Sequence, residues 1–229
     1  YTISDIEKFF ADLNNFQSLN NLSSQKLIQQ KDIEDKTGIN LQKLFIEIFD
    51  GEIGRSALCA NLSDQTLTSI FAIRTKSGSF ALNKMLSLIK SYNETSGNRS
   101  NDIIKVFKID NQTSCNIYKC PFNNFPSILF GNMFENINTE WFTVYNNYII
   151  FADSYATLGK IILSNMLGET LIDDKEYIKF KNGIASKNNY YFYCNTSICF
   201  AHARQFFNDS IAEDIASNEE FRKFRHKIP

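Results

Sequence analysis

A polar pair, Asn146 and Asn147, separates two runs of aromatic and β-branched residues. Asn tolerates the positive φ angles of a two-residue turn, so the pattern predicts a β-hairpin. The turn would place Tyr145 opposite Tyr148. Counting outward from it predicts one wholly apolar face, formed by Phe142, Val144, Ile149 and Phe151. The other face is mixed and carries Trp141, Thr143, Tyr145, Tyr148 and Ile150.

A helix is predicted after this hairpin, and the same order recurs along the chain. Leu158, Ile161, Ile162 and Met166 follow helical spacing, and Gly168 is placed to end the helix. Strand, strand and helix are predicted in succession at residues 53–92, 103–135 and 139–167. The pattern predicts an α+β protein with a mostly antiparallel sheet built from successive strand-strand-helix units, its helices packed on one face.

The apolar spacing before residue 51 is helical. Ile6, Phe9, Phe10 and Leu13 mark one helix, and further patterns run through Ile33 and from Leu41 to Phe49. We predict that residues 1–50 form a helical N-terminal segment packed on the main domain. Residues 51–229 would form one continuous α+β domain. Within it we expect a loop at 93–102, a helix opened by Asp173 and Glu176, a strand at 190–195 and a helix from 198.

Composition excludes some partners. The chain has 24 basic and 25 acidic residues with no basic stripe, so we expect no nucleic-acid partner. No apolar run reaches 18 residues and no secretory segment stands at the start, so membrane attachment would require an anchor outside this sequence. Because the chain begins at Tyr1 without Met and ends at Pro229 in a charged segment, we expect a piece of a longer protein.

The five cysteines leave two interpretations open. Free Cys behaves as a small core residue, which favours buried thiols. A Cys115–Cys120 or a Cys194–Cys199 disulfide is the alternative in an oxidising compartment.

Candidate chemistry is sparse. The chain has two histidines, His202 and His226, and Cys199 lies three residues from His202. A helix would project that pair from one surface, with no second histidine at metal-ligand spacing and no residue to orient a nucleophile. Phosphate-binding and nucleophile-elbow motifs are missing, and Asp173-Asp174 fits helix capping. We therefore predict no catalytic, metal or cofactor-binding residue, no cofactor, and a protein that is not an enzyme.

Aromatic strand residues offer a candidate binding surface. Trp141, Tyr145 and Tyr148, with the aromatic run 190–193, could stack on a sugar or contact a protein partner. The competing interpretation is that alternating aromatics fill the core of a sheet. The core interpretation is favoured, and only the mixed face of the central hairpin supports the binding interpretation.

Several segments together resemble an uncharacterised envelope protein family of the Bacteroides group, a domain of unknown function. The resemblance spans about residues 41–225 and is carried by Glu52-Ile53, the segment 71–79 with Ala81-Leu82, Trp141, Asn147, the segment 151–154, the segment 169–171, Tyr177, the aromatic strand ending at Asn195, and the segment 220–224. It implies an exported, N-terminally anchored protein, such as a lipoprotein, in which this α+β module precedes a β-propeller-like region. It implies no activity and no catalytic residues.

These observations favour a non-catalytic module of an exported envelope protein, located in the periplasm or elsewhere outside the cytoplasm. It would bind or scaffold a protein or a glycan, or contact the remainder of its own longer chain. Two alternatives stay open: a hydrolase or transferase with a dispersed site, and a self-assembly domain.

Overall fold

The computed structural model describes residues 1–19, 24–58, 67–97, 104–184 and 191–194, with residues 210, 211, 213 and 217. The α-helices are α1 (Ile6–Leu19), α2 (Ser24–Thr37), α3 (Leu41–Ile48), α4 (Gly78–Ser96), α5 (Phe125–Phe130), α6 (Tyr155–Leu167) and α7 (Lys175–Asn182). The strands are β1 (Phe49–Leu58), β2 (Thr68–Thr75), β3 (Ile104–Lys108), β4 (Ser114–Lys119), β5 (Trp141–Tyr145) and β6 (Tyr148–Ala152). Short 3₁₀ helices lie at Asn132–Phe134 and Leu171–Asp173.

The strands form one antiparallel sheet in the order β1-β2-β6-β5-β4-β3. The predicted α+β class, the antiparallel sheet and the helical N-terminal segment are confirmed. The three hairpins are not arranged in chain order, because the third one, β5-β6, lies between the other two. Both faces of its strands carry large apolar or aromatic side chains, which is typical of strands at the centre of a sheet.

The predicted register of the central hairpin is confirmed. Tyr145 pairs with Tyr148, and the pairs continue to Phe142 with Phe151. Asn146 and Asn147 have φ angles of 47° and 61°, as a two-residue hairpin turn requires. The Asn147 side-chain oxygen accepts a hydrogen bond from the backbone N–H of Gly78 at 3.0 Å. The turn is therefore attached to the first residue of α4.

The main core lies on the face of the sheet that carries Phe142, Ile149 and Phe151, which we call the inner face. Helices α1, α3, α4 and α5 contribute buried side chains to it, as does Ile33 of α2. Phe130 of α5 is at its centre, and its ring centroid lies between 5.7 and 6.2 Å from five others, those of Phe9, Phe10, Phe45, Phe71 and Phe134. Such aromatic packing accounts for many of the chain's 21 phenylalanines.

The prediction that the helices pack on one face needs correction, because α6 lies on the opposite, outer face. Its Leu158 is fully buried in a second cluster with Ile117, Trp141 and Ala152. These three strand residues point away from the main core, as alternation along a strand requires. Apolar side chains on both faces of the central strands require a helix on each side, and α6 covers the second side.

Two helix ends and one predicted strand also differ from the sequence predictions. Helix α4 continues to Ser96 and ends at Gly97 in the left-handed conformation, so part of the predicted loop is helical. The N-cap of α7 is Asp174, whereas Asp173 forms a capping box with Thr170. Residues 191–194 form no strand; Tyr191 and Tyr193 instead pack against α7. The rest of the predicted segment 190–195 and the helix predicted from 198 to 207 lie outside the described residues.

Candidate functional site

The outer face of the sheet is only partly covered by α6. This helix packs against β5 and β6, where Leu158 and Ile162 are buried. On the β1 side the same face carries Glu52, Ser56 and Leu58, all exposed.

Gly54 and Ala72 are paired across β1 and β2 and form a low area of the outer face, which we call the open floor. A Cβ atom added at Gly54 would meet no atom of the described residues within 4 Å, so these residues leave the space above it free. Because neither residue extends beyond Cβ, the open floor is a shallow depression in the sheet surface. It is bordered by Arg74 and Glu52 toward one end of the strands.

Tyr148 lies beside the open floor and is held by charged neighbours. Its hydroxyl donates a hydrogen bond to Oε2 of Glu52 at 3.2 Å. Arg74 pairs with Asp50, Nε to Oδ2 3.1 Å, and lies 3.7 Å from Oε2 of Glu52. Burial raises the pKa of Tyr148, the adjacent Glu52 carboxylate raises it further, and Arg74 lowers it. The tyrosine therefore stays a neutral hydrogen-bonding group at ordinary pH. Half-buried Tyr145 faces it across the hairpin.

Trp141 occupies a different environment at the far end of the same strand. Its side chain is 7% exposed, and the ring of Tyr155, the first residue of α6, meets it edge-on at 6.3 Å. The ammonium groups of Lys105 and Lys119 lie 4.7 and 5.9 Å from the centroid of its ring. Trp141 is therefore enclosed by a second ring and two cations. We call Lys105, Lys119, Trp141 and Tyr155 the lysine–indole cluster.

The strand register explains why these residues meet. Lys119 is directly opposite Trp141, and Lys105 is opposite Ile117, two residues earlier on β4. The side chains of Lys105, Ile117, Lys119 and Trp141 therefore all lie on the outer face of the sheet. Tyr155 is fixed by donating a hydrogen bond to the Val106 carbonyl at 3.1 Å, and it lies 5.5 Å from the Lys105 ammonium group.

The three residues of the predicted binding surface share one face but do not form one patch. Tyr145 and Tyr148 are neighbours at the turn, whereas Trp141 is four residues along β5, about 13 Å away at the usual rise per residue. Lys105, Lys119 and Tyr155 were not predicted as site residues. Strands β3 and β4 each carry lysine beside apolar residues, but the sequence does not show which strand lies next to β4.

The structure describes some of the cysteines and histidines that were considered for reactive or metal-binding roles. Cys115 and Cys120 are free thiols, which confirms the favoured interpretation for this pair, and the alternative Cys115–Cys120 disulfide is not formed. Cys194 is disulfide-bonded, whereas Cys199, His202 and His226 lie outside the described residues. Burial raises the pKa of the Cys120 thiol to about 12, which makes it unreactive.

Within the described part of the chain, no group of three His, Cys, Asp or Glu residues could hold a metal ion. No helix there has both the length and the apolar character needed to cross a membrane.

The structure defines an α+β protein with a six-stranded antiparallel sheet, a main core on the inner face and helix α6 on the outer face. Comparison with protein-family models, with curated proteins and with solved structures gives no match. The resemblance to an envelope family of the Bacteroides group therefore stays a prediction.

Proposed function

We propose that this chain is a non-catalytic binding module of an exported envelope protein, and that it binds a glycan on the outer face of its sheet. The observation that carries the proposal is the open floor at Gly54 and Ala72 beside Tyr148, with Arg74 and Glu52 at its rim.

The chemistry of the rim suits sugars. A sugar ring presents hydroxyl groups along its edge and C–H groups on its faces. Carboxylate and guanidinium groups at the rim can accept from and donate to those hydroxyls, and half-buried tyrosines offer an apolar ring with a polar tip. The Arg74–Asp50 and Arg74–Glu52 pairs hold these groups in place before a ligand arrives.

The proposed compartment has separate support. Cys194 is disulfide-bonded, and disulfides persist mainly in oxidising compartments such as the periplasm and the cell exterior. Mass spectrometry of unreduced tryptic peptides from protein made in its native compartment tests this. A linked Cys194 peptide is expected, and a free thiol at Cys194 would contradict an extracytoplasmic location.

A pair of matched variants tests the binding site. Gly54→Phe would fill the open floor from a strand position whose Cβ meets no neighbour, so the protein should still fold. Ala57→Phe adds the same ring at an exposed position of β1 on the opposite face. Glycan-array screening followed by titration calorimetry should show at least a tenfold loss of affinity for Gly54→Phe and little change for Ala57→Phe, by analogy with central interface residues.

Equal glycan binding by both variants would contradict the assigned site. If no glycan binds to the wild-type protein, the glycan proposal fails, and capture of a protein ligand that depends on Gly54 would then support protein binding at the same surface.

A further inference from the structure

We propose that the lysine–indole cluster binds a single carboxylate group of an acidic sugar, such as a uronic acid. This inference rests on the proposed glycan-binding function and specifies the class of glycan. It concerns Lys105, Lys119, Trp141 and Tyr155, which lie on the same outer face as the open floor but across α6 from it.

The first argument is the convergence of two cations on one ring. The ammonium groups of Lys105 and Lys119 both lie within 6 Å of the centroid of the Trp141 ring. Like charges held near the same ring repel each other, and an anion bound by both would offset that repulsion. Lysine has a flexible stem, so both ammonium groups can reorient toward one oxyanion.

The two lysines differ in whether they have a carboxylate partner. Lys119 has a carboxylate partner, since its ammonium group lies 3.8 Å from Oε1 of Glu140. Lys105 contacts the rings of Trp141 and Tyr155, and no carboxylate of the described residues lies within ion-pair distance of it. The rings accept hydrogen bonds only weakly, so the N–H donors of the exposed Lys105 ammonium group stay available to an anion.

The charges of the cluster match a ligand with a single negative charge. Two ammonium groups and the Glu140 carboxylate give the site a net charge of +1. A monoanionic carboxylate matches this charge, whereas the charge of a phosphate dianion or a polyphosphate would exceed it. The Glu140 carboxylate can also accept a hydrogen bond from a sugar hydroxyl next to the acid group of the ligand. The balanced charge of the whole chain likewise does not favour a polyanion.

The ammonium groups of Lys105 and Lys119 are accessible from solvent. The Lys119 side chain is 48% exposed and Lys105 is also exposed, so a ligand can approach the ammonium groups from solvent. Trp141 is covered, so the sugar would meet the lysines and the edge of Tyr155 and would not stack on the indole. Binding would draw the ammonium groups away from the indole ring.

Trp141 is the only tryptophan of the chain, so its fluorescence reports directly on this site. The experiment is a titration of the full chain with trigalacturonate, with its methyl ester and with neutral galactotriose. The emission of Trp141 is followed together with the heat of binding. We expect trigalacturonate to bind at least tenfold more tightly than either uncharged sugar and to change the tryptophan emission.

Variants assign the effect to the lysines. Lys105→Gln and Lys119→Gln should each weaken trigalacturonate binding about tenfold, as expected for loss of one charged hydrogen bond. Lys119→Arg keeps the charge and should retain binding. Lys108→Gln is the matched control, because Lys108 is an exposed lysine of the same strand that projects from the inner face.

The outcomes separate this inference from the proposed function. Equal binding of the acid, the ester and the neutral sugar, lost in Gly54→Phe, would overturn the inference and leave the proposed function intact. Unchanged trigalacturonate affinity in Lys105→Gln and Lys119→Gln would also overturn it. If none of the three sugars binds, the inference fails, while the glycan array decides the proposed function separately.

Discussion

Helix α6 crosses the sheet so closely that only glycine fits at residue 159. A Cβ atom added at Gly159 would lie 2.4 Å from Cε2 and 2.7 Å from Cδ2 of Phe107, a residue of β3. Both distances are far inside van der Waals contact. The Phe107 ring is also packed edge-on against the ring of Tyr155, one turn earlier in α6, with 5.8 Å between the ring centroids. We therefore expect Gly159→Ala to destabilise the protein.

The size of the effect follows from two opposing contributions. Replacing glycine by alanine inside a helix ordinarily stabilises a protein by about 0.5–1 kcal/mol. Forcing an extra carbon into a packed contact costs about 1–3 kcal/mol. The difference predicts a net loss of unfolding free energy between about 0 and 2.5 kcal/mol, centred near about 1 kcal/mol. For a domain of this size, a loss of about 1 kcal/mol lowers the melting temperature by about 2–4 °C.

Urea and thermal unfolding of wild type, Gly159→Ala, Phe107→Ala and the double variant test this prediction. In the Phe107→Ala background the obstruction is gone, so alanine at 159 should stabilise by its helix preference, about 0.5–1 kcal/mol. The sign of the Gly159→Ala effect should therefore reverse between the two backgrounds. A higher melting temperature for Gly159→Ala in the wild-type background would refute the steric argument.

Two further predictions concern the central turn and a buried thiol. Asn147→Gly keeps the positive φ angle but loses the hydrogen bond from Gly78, so it should cost about 1 kcal/mol. Asn146→Gly loses no bond to α4 and only a long 3.5 Å hydrogen bond from its side chain to Asn165, so it should stay within about 0.5 kcal/mol of wild type. Equal effects of the two substitutions in urea unfolding would count against a stabilising role for the Asn147–Gly78 hydrogen bond. Burial raises the pKa of Cys120 from 9.0 to about 12, so the folded state keeps a proton that the unfolded state releases above pH 9.0. Unfolding free energy measured relative to Cys120→Ala should therefore fall as the pH rises from 9.0 to about 12, and a flat difference would contradict the burial.

The central hairpin was predictable because its information is local. Two Asn residues select the turn, and a two-residue turn leaves one register for the ten residues around it. The same holds for α6, which begins at Tyr155 after its cap Ser154 and ends at Gly168. The three strand-strand-helix units follow from such local signals, which is why the α+β class could be derived without coordinates.

The order of the hairpins was not predictable in this way. Placing β6 beside β2 and β5 beside β4 requires contacts between residues far apart in the chain, and no turn connects these pairs. The sequence held one relevant signal: both faces of the central strands carry large apolar or aromatic side chains, whereas β3 carries Lys105 and Lys108, as edge strands often do. The helices were nevertheless predicted on one face, and only the packing of α6 on β5 and β6 shows that the second face is covered as well.

The candidate site, like the fold, was predictable from sequence only where the information is local. Sequence alone determined that Trp141, Tyr145 and Tyr148 share one face of a hairpin, because alternation along a strand is a property of the backbone. Tertiary structure decided that Trp141 is enclosed by Lys105, Lys119 and Tyr155, while Tyr148 borders an open floor beside Glu52. The physical reason is that exposure and charge at a position depend on which distant strands and helices pack against it, and local sequence does not encode that arrangement.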